Sequence, residues 1–201
     1  MTVVTNRFIY LDNLPMTRFR MRILPLAFAA FIAGMAAIGG AEAKGSGTED
    51  AGKAIAIALP LVAGGISAYK EDWNGLATVA TVTLATVGTT YLINHVVKER
   101  RPDGSDYHSF PSNTAGLAFA PSFYLWHRYG WEYGVPAVAA ASFVAYSRVN
   151  AGKHHWYDVA TSAAIAFGYD QIFTWRYRGT NITSGVYATP DAGYVSVNYR
   201  W

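Results

Sequence analysis

The stretch from Gly75 to Asn94 reads GLATVATVTLATVGTTYLIN and holds no charged side chain. A backbone in so apolar a setting must satisfy its own N–H and C=O groups, and a helix does this within one segment. Twenty helical residues rise about 30 Å, the depth of a bilayer's hydrocarbon. The segment is therefore expected to be a helix that crosses a membrane or packs inside a helical bundle. Its six threonines, Thr78, Thr81, Thr83, Thr86, Thr89 and Thr90, and its Ala and Gly residues suit close helix–helix packing in either setting. Asn74 is expected to cap the helix, and Arg101-Pro102 to stop it after about Arg100.

Four further segments read as helices: Ala51 to Tyr69 with a kink at Pro60, Thr114 to Tyr129, Pro136 to Val149, and Trp156 to Phe173. Asp103 to Ser112 is a polar loop. Five helices with no repeat and no heptad seam predict an all-α bundle. After Trp175 the character changes. Ser184 to Ala188 and Gly193 to Trp201 favour strands, with Thr189-Pro190-Asp191-Ala192 as the turn of a short C-terminal β-hairpin.

At the other end, Arg18, Arg20 and Arg22 precede the apolar run Ile23 to Gly40, and Ala41-Glu42-Ala43 follows. Basic flank, apolar run and A-x-A site predict a signal peptide over residues 1–43, with a retained membrane anchor as the alternative. The helical domain then covers 44–175 and the hairpin tail 176–201. The whole chain has 16 basic and 13 acidic residues. Cleavage after Ala43 removes Arg7, Arg18, Arg20 and Arg22 with Asp12 and Glu42, leaving 12 against 11. No basic surface excess remains to argue for nucleic acid. The chain has no cysteine, which excludes disulfides, zinc–thiolate sites and thiol catalysis.

Chemistry concentrates in Ser147 to Asp158, SRVNAGKHHWYD. Three residues separate His154 from Asp158, so a helix starting near His154 sets both on one face. The carboxylate can then hold one imidazole nitrogen and free the other. Arg148 offers a planar fork suited to an oxyanion. Upstream lie Arg101-Pro102 and Phe110-Pro111-Ser112-Asn113-Thr114.

This order of Arg-Pro, Pro-Ser and Ser-Arg-x5-His-x3-Asp resembles the type 2 phosphatidic acid phosphatase family, which shares its fold and site with the vanadium haloperoxidases. The family pattern is Lys-x6-Arg-Pro, Pro-Ser-Gly-His and Ser-Arg-x5-His-x3-Asp. The third motif is complete here. In the first, Asn94 stands for lysine; in the second, Asn113 stands for glycine and Thr114 for histidine. The resemblance implies a helical phosphatase fold in which His154 attacks phosphorus and forms a phosphohistidine. Asp158 would orient it, and Arg101, Arg148, Ser112 and Asn113 would hold the phosphate. The family's lysine and proton donor are missing, and Lys98, His108 and His155 are the residues that can stand in for them.

The resemblance thus implies an exported phosphatase of the periplasm or cell-envelope membrane, acting on a phosphorylated lipid or small phosphoester, with no metal and no cofactor. A relative that binds an anion or serves a structural role without turnover is the second reading. Vanadate-dependent halide oxidation is a third. His95 and His127 lie within helix candidates, with no metal-ligand spacing to an acidic partner. Tyr124, Trp126, Tyr129, Trp131 and Tyr133 read as a helix end at a surface or membrane interface.

Overall fold

The computed structural model describes residues 46–177 and the paired backbone of 182–189 and 192–199. The leader expected over 1–43 and the tip of the expected hairpin turn lie outside the described residues. Five helices make up the body: α1 (Ser46–Tyr69), α2 (Trp73–Val96), α3 (Asn113–Tyr129), α4 (Trp131–Asn150) and α5 (Trp156–Phe173). Strands β1 (Ile182–Thr189) and β2 (Ala192–Tyr199) pair antiparallel, Ile182 opposite Tyr199.

Helix α3 is the centre of the bundle and packs against all four other helices. Its small residues permit this: Ala115, Ala118 and Ala120 are fully buried, and Leu125 joins Ile55, Leu59, Val82 and Val144 in the core. A Cβ on Gly116 would sit 3.3 Å from the Thr86 methyl group, so the buried threonines of α2, Thr83, Thr86 and Thr90, line a packing face, while Thr81 lies exposed. Helix α1 passes α4 closely at Gly52, where a Cβ would come 1.9 Å from Ser147 Oγ.

Four expected boundaries are corrected. Helix α1 begins at Ser46 rather than Ala51, and α4 at Trp131 rather than Pro136, which lies inside it. Asp72, not Asn74, caps α2, its carboxylate accepting from the Gly75 N–H at 2.8 Å. The helix ends at Val96 rather than near Arg100, because Val97 turns extended and the chain pairs with the loop instead. The Ser109 N–H donates to the Glu99 carbonyl at 3.0 Å, and the Arg101 N–H to that of Asp106 at 3.0 Å. At the far end, α3 joins α4 through Gly130 alone, whose φ of +95° a side chain would resist. There Arg128 grips Asp72 through Nε and Nη2, both at 2.6 Å, and donates Nη1 to the Trp175 carbonyl at 2.7 Å.

Helices α1 and α2 are each long and apolar enough to cross a membrane, yet only 39% and 28% of their most apolar windows are buried. Leu61, Leu84, Leu92 and Val96 lie exposed on them. The end of α2 and the starts of α1, α3 and α5 gather with the end of α4 at one end of the bundle.

Candidate active site

The site begins with the turn after α4. The N–H groups of Ala151, Gly152 and Lys153 donate to the carbonyls of Ser147, Val149 and Arg148, and Gly152 takes the left-handed φ of +67° this turn needs. The Asp103 N–H bonds the Gly152 carbonyl at 2.9 Å, and Lys153 Nζ reaches the Asp103 carboxylate at 2.6 Å. The Lys153 ammonium holds that carboxyl well below the usual range. The turn is thus tied to the 97–112 loop, and His154 emerges at a fixed place.

His154 is buried, with Nδ1 at 2.6 Å from the Ser109 carbonyl. A carbonyl only accepts, so Nδ1 carries the proton and the Nε2 lone pair is free. Burial pushes this imidazole down to about 4, assisted by the charges of Arg101 and Arg148 and opposed by the Ser109 carbonyl. The ring is neutral at physiological pH.

Asp158 is fully buried, and its Oδ2 lies 3.6 Å from His154 Nδ1, outside hydrogen-bonding range. It does not hold the ring directly, as the i, i+4 spacing had led us to expect. Oδ2 accepts instead from Ser109 Oγ at 2.5 Å and from the His155 N–H at 2.7 Å. The second of these is half of a capping box that starts α5. The carboxylate therefore fixes Ser109, the residue whose carbonyl fixes the histidine.

The arginines approach from two sides. Arg148 is buried and donates Nη1 to Glu49 of α1 at 3.2 Å, while its buried Nε has no partner among the described residues. Arg101 donates Nε to Asp106 at 2.7 Å and Nη1 to the Lys153 carbonyl at 3.5 Å. The Arg101 charge also lowers the Asp106 carboxyl. Ser112 caps α3, accepting from the Ala115 N–H at 3.4 Å, and its own N–H meets the Asp158 carbonyl at 3.4 Å. Asn113 follows, with a buried Oδ1 that lacks a partner among the described residues. Both guanidinium charges bear on the neutral His154 imidazole, and the start of α3 is tied to the start of α5 through Ser112 and Asp158; guanidinium groups and helix N-termini are both suited to a tetrahedral oxyanion.

The three stand-in residues fare differently. Lys98 is exposed, past the end of α2 rather than on it. The His108 ring lies beside Asp106, at 3.8 Å, and near the His95 ring, with centroids 5.4 Å apart. His155 Nδ1 is 3.4 Å from Ser109 Oγ, 3.5 Å from Asp158 Oδ2 and 3.7 Å from Glu99 Oε1. Its ring stacks on Tyr157, centroids 4.9 Å apart, and the Tyr157 hydroxyl hydrogen-bonds Glu99. One ligand atom each from Glu99, His155 and Asp158 lie within 4.8 Å of one another, a donor set a small cation could use, although two donors already occupy Asp158 Oδ2.

Asn94 is buried and donates Nδ2 to the carbonyls of His108, Phe110 and Pro111 at 2.9, 3.3 and 3.2 Å. It is a clamp under the loop that carries Ser109 and Ser112. Reading the sequence missed Ser109, Glu99 and Glu49. Ser109 lies two residues before Pro111 with no spacing pattern to mark it, and Glu49 meets Arg148 across 99 positions.

The model of the family described as the PAP2 superfamily matches residues 75–182, more than half of the chain. The chain belongs to the PAP2 superfamily. The matched range runs from α2 to the start of β1 and holds all of these residues except Glu49. The lipid A 4'-phosphatase of Helicobacter pylori is 32% identical over 131 residues, covering 60% of this PAP2 chain and 66% of that protein, just under two thirds of its length. No solved structure matches the chain significantly.

Proposed function

We propose that this PAP2 protein hydrolyses a phosphomonoester, with a phosphorylated lipid as the substrate class, through a phosphohistidine on His154. One observation carries the reading: a buried, neutral imidazole has its Nδ1 proton committed to the Ser109 carbonyl and its Nε2 lone pair free, beside two arginines. Attack from Nε2 forms a P–N bond as the ester P–O bond breaks. Arg101, Arg148, the Ser112 hydroxyl and the N–H groups of Asn113 and Thr114 at the start of α3 stabilise the charge that builds on the phosphoryl oxygens. Asp158 acts through Ser109, as a positioning residue. Water then attacks phosphorus and releases phosphate.

The lipid-phosphatase relative supports a lipid substrate. The exposed apolar faces of α1 and α2 support a membrane setting, with the site at one membrane face. We extend this to removal of residues 1–43 on export to the cell envelope, a helical domain over 44–175 and a hairpin tail over 176–201. The test is to trap the intermediate. Protein incubated with a radiolabelled lipid phosphate and quenched in alkali should carry acid-labile, base-stable label, absent in His154→Asn. An unlabelled parent sinks the reading.

The second reading, an anion-binding relative without turnover, is favoured by Asn94, whose amide is committed to three backbone carbonyls, and by Thr114 in place of the family's histidine. It predicts vanadate binding that depends on Arg148, with no labelled intermediate.

A further inference from the structure

A guanidinium offers two forks, one along its side made of Nε and Nη2 and one at its end made of Nη1 and Nη2. Arg128 uses the side fork on Asp72, with Nε and Nη2 each donating at 2.6 Å to one carboxylate oxygen. Arg148 is held the other way. Its Nη1, at the end of the group, donates to Glu49 Oε1 at 3.2 Å, and its buried Nε has no partner among the described residues. Resting on the reading of Arg148 as a phosphoryl-holding residue, we infer that Glu49 of α1 is the positioning residue of that arginine. It holds the end of the guanidinium so that the side fork stays open for the phosphoryl oxygens.

The fold delivers Glu49 to this place by a close helix crossing. Gly52 lies three residues beyond Glu49, and so on the same side of α1. It packs against Ser147, the residue before Arg148, where any Cβ on the glycine would come 1.9 Å from Ser147 Oγ. The two backbones meet there, and Glu49 comes level with Arg148. The Arg148 side chain is only 6% exposed and that of Glu49 19%. A buried guanidinium without an anion is costly, so the pair holds while the site is empty. The fork is then already oriented when the phosphoryl group arrives, and no ordering has to be done on binding.

A carboxylate beside an anion pocket would act in the opposite sense if its charge dominated, by repelling the phosphoryl group. Lys53 weighs against this. It lies one turn further along α1, with Nζ at 2.9 Å from Glu49 Oε1, the oxygen that also accepts from Arg148. The carboxylate stands between two cations, and Lys53, Glu49 and Arg148 together carry a net positive charge. What Glu49 contributes is direction.

Vanadate affinity of the full chain, measured by calorimetric titration below the melting transition of each variant, tests this. Glu49→Ala should weaken binding by about 10–100-fold, the scale on which loss of a partner behind a ligand acts. In an Arg148→Ala background the same change should have no further effect, because no guanidinium is left to orient. Glu49→Gln keeps an acceptor for Nη1 without the charge and should recover most of the affinity lost in Glu49→Ala. The kcat/KM for an aryl phosphate should follow the same order. Vanadate bound as tightly by Glu49→Ala as by the parent, or more tightly, overturns the inference, as does a failure of Glu49→Gln to recover affinity. Equal weakening in both backgrounds overturns it too, since the pair would then only brace α1 against α4. These outcomes leave Arg148 in the anion site. Vanadate affinity indifferent to Arg148→Ala overturns the reading beneath as well.

Discussion

Ser109 is the residue on which the site geometry turns. Its carbonyl sets the His154 tautomer and its hydroxyl occupies the Asp158 carboxylate. Ser109→Ala keeps the carbonyl but leaves Asp158 with the His155 N–H alone. Leaving a buried acceptor short of a donor costs about 1–3 kcal/mol. We expect a lower melting temperature together with slower formation of the phosphohistidine, read by quench-flow labelling, and little change in vanadate affinity. His154 makes a second prediction, through pH. Its folded value of about 4 lies below the ordinary 6.5, so above 6.5 neither folded nor unfolded chain carries the proton. As pH falls from 6.5 towards 4 the unfolded chain binds a proton that the folded one resists. Stability therefore declines across that window and loses nothing further below it. Melting temperatures measured between pH 7 and pH 4 should fall less steeply in His154→Gln than in the parent.

At the scale of elements, the connection between α2 and α3 is organised from beneath. Asn94, in the last turn of α2, donates to three carbonyls of the segment that carries Ser109 and Ser112. Asn94→Ala removes all three bonds at once, and a loss of about 1–3 kcal/mol with a drop in kcat is expected. Asn94→Lys restores the family residue in name, but its ammonium meets those carbonyls before it meets an anion. The rate on aryl phosphate should not rise above that of the parent. A clear rise in a steady-state assay would place the side chain in the anion pocket and refute the clamp. The turn from α4 to α5 is held differently, by its own backbone and the Lys153–Asp103 pair, and does not depend on Asn94.

Taken whole, the molecule separates its chemistry from its bracing. Asn113 and Arg128 stand at opposite ends of α3, about 22 Å apart at 1.5 Å per residue. The Arg128–Asp72 pair closes the far end by joining the α1–α2 turn, α3 and the segment after α5. Arg128→Leu would strand a buried carboxylate, and breaking such a pair costs about 3–5 kcal/mol. The variant should melt far below the parent in thermal unfolding, yet molecules still folded at low temperature should show the parent kcat, because nothing at the site end has moved.

Much of this was legible in the chain. The uncharged run Gly75 to Asn94 demands a helix, since the backbone must bond to itself, and with four further largely apolar segments it predicts the bundle. The spacing Arg148-x5-His154-x3-Asp158 is local, and one turn and one helix start translate it directly into neighbouring side chains. Residues far apart along the chain were not legible in the same way. That His154 bonds Ser109 rather than Asp158, that Asn94 holds carbonyls rather than an anion, and that Glu49 pairs with Arg148 all depend on how α1, the loop and α5 meet. Helix geometry dictates spacing within a segment. Which donor reaches which acceptor between segments is decided by packing, where a difference of 1 Å separates the 2.6 Å bond to Ser109 from the 3.6 Å approach to Asp158.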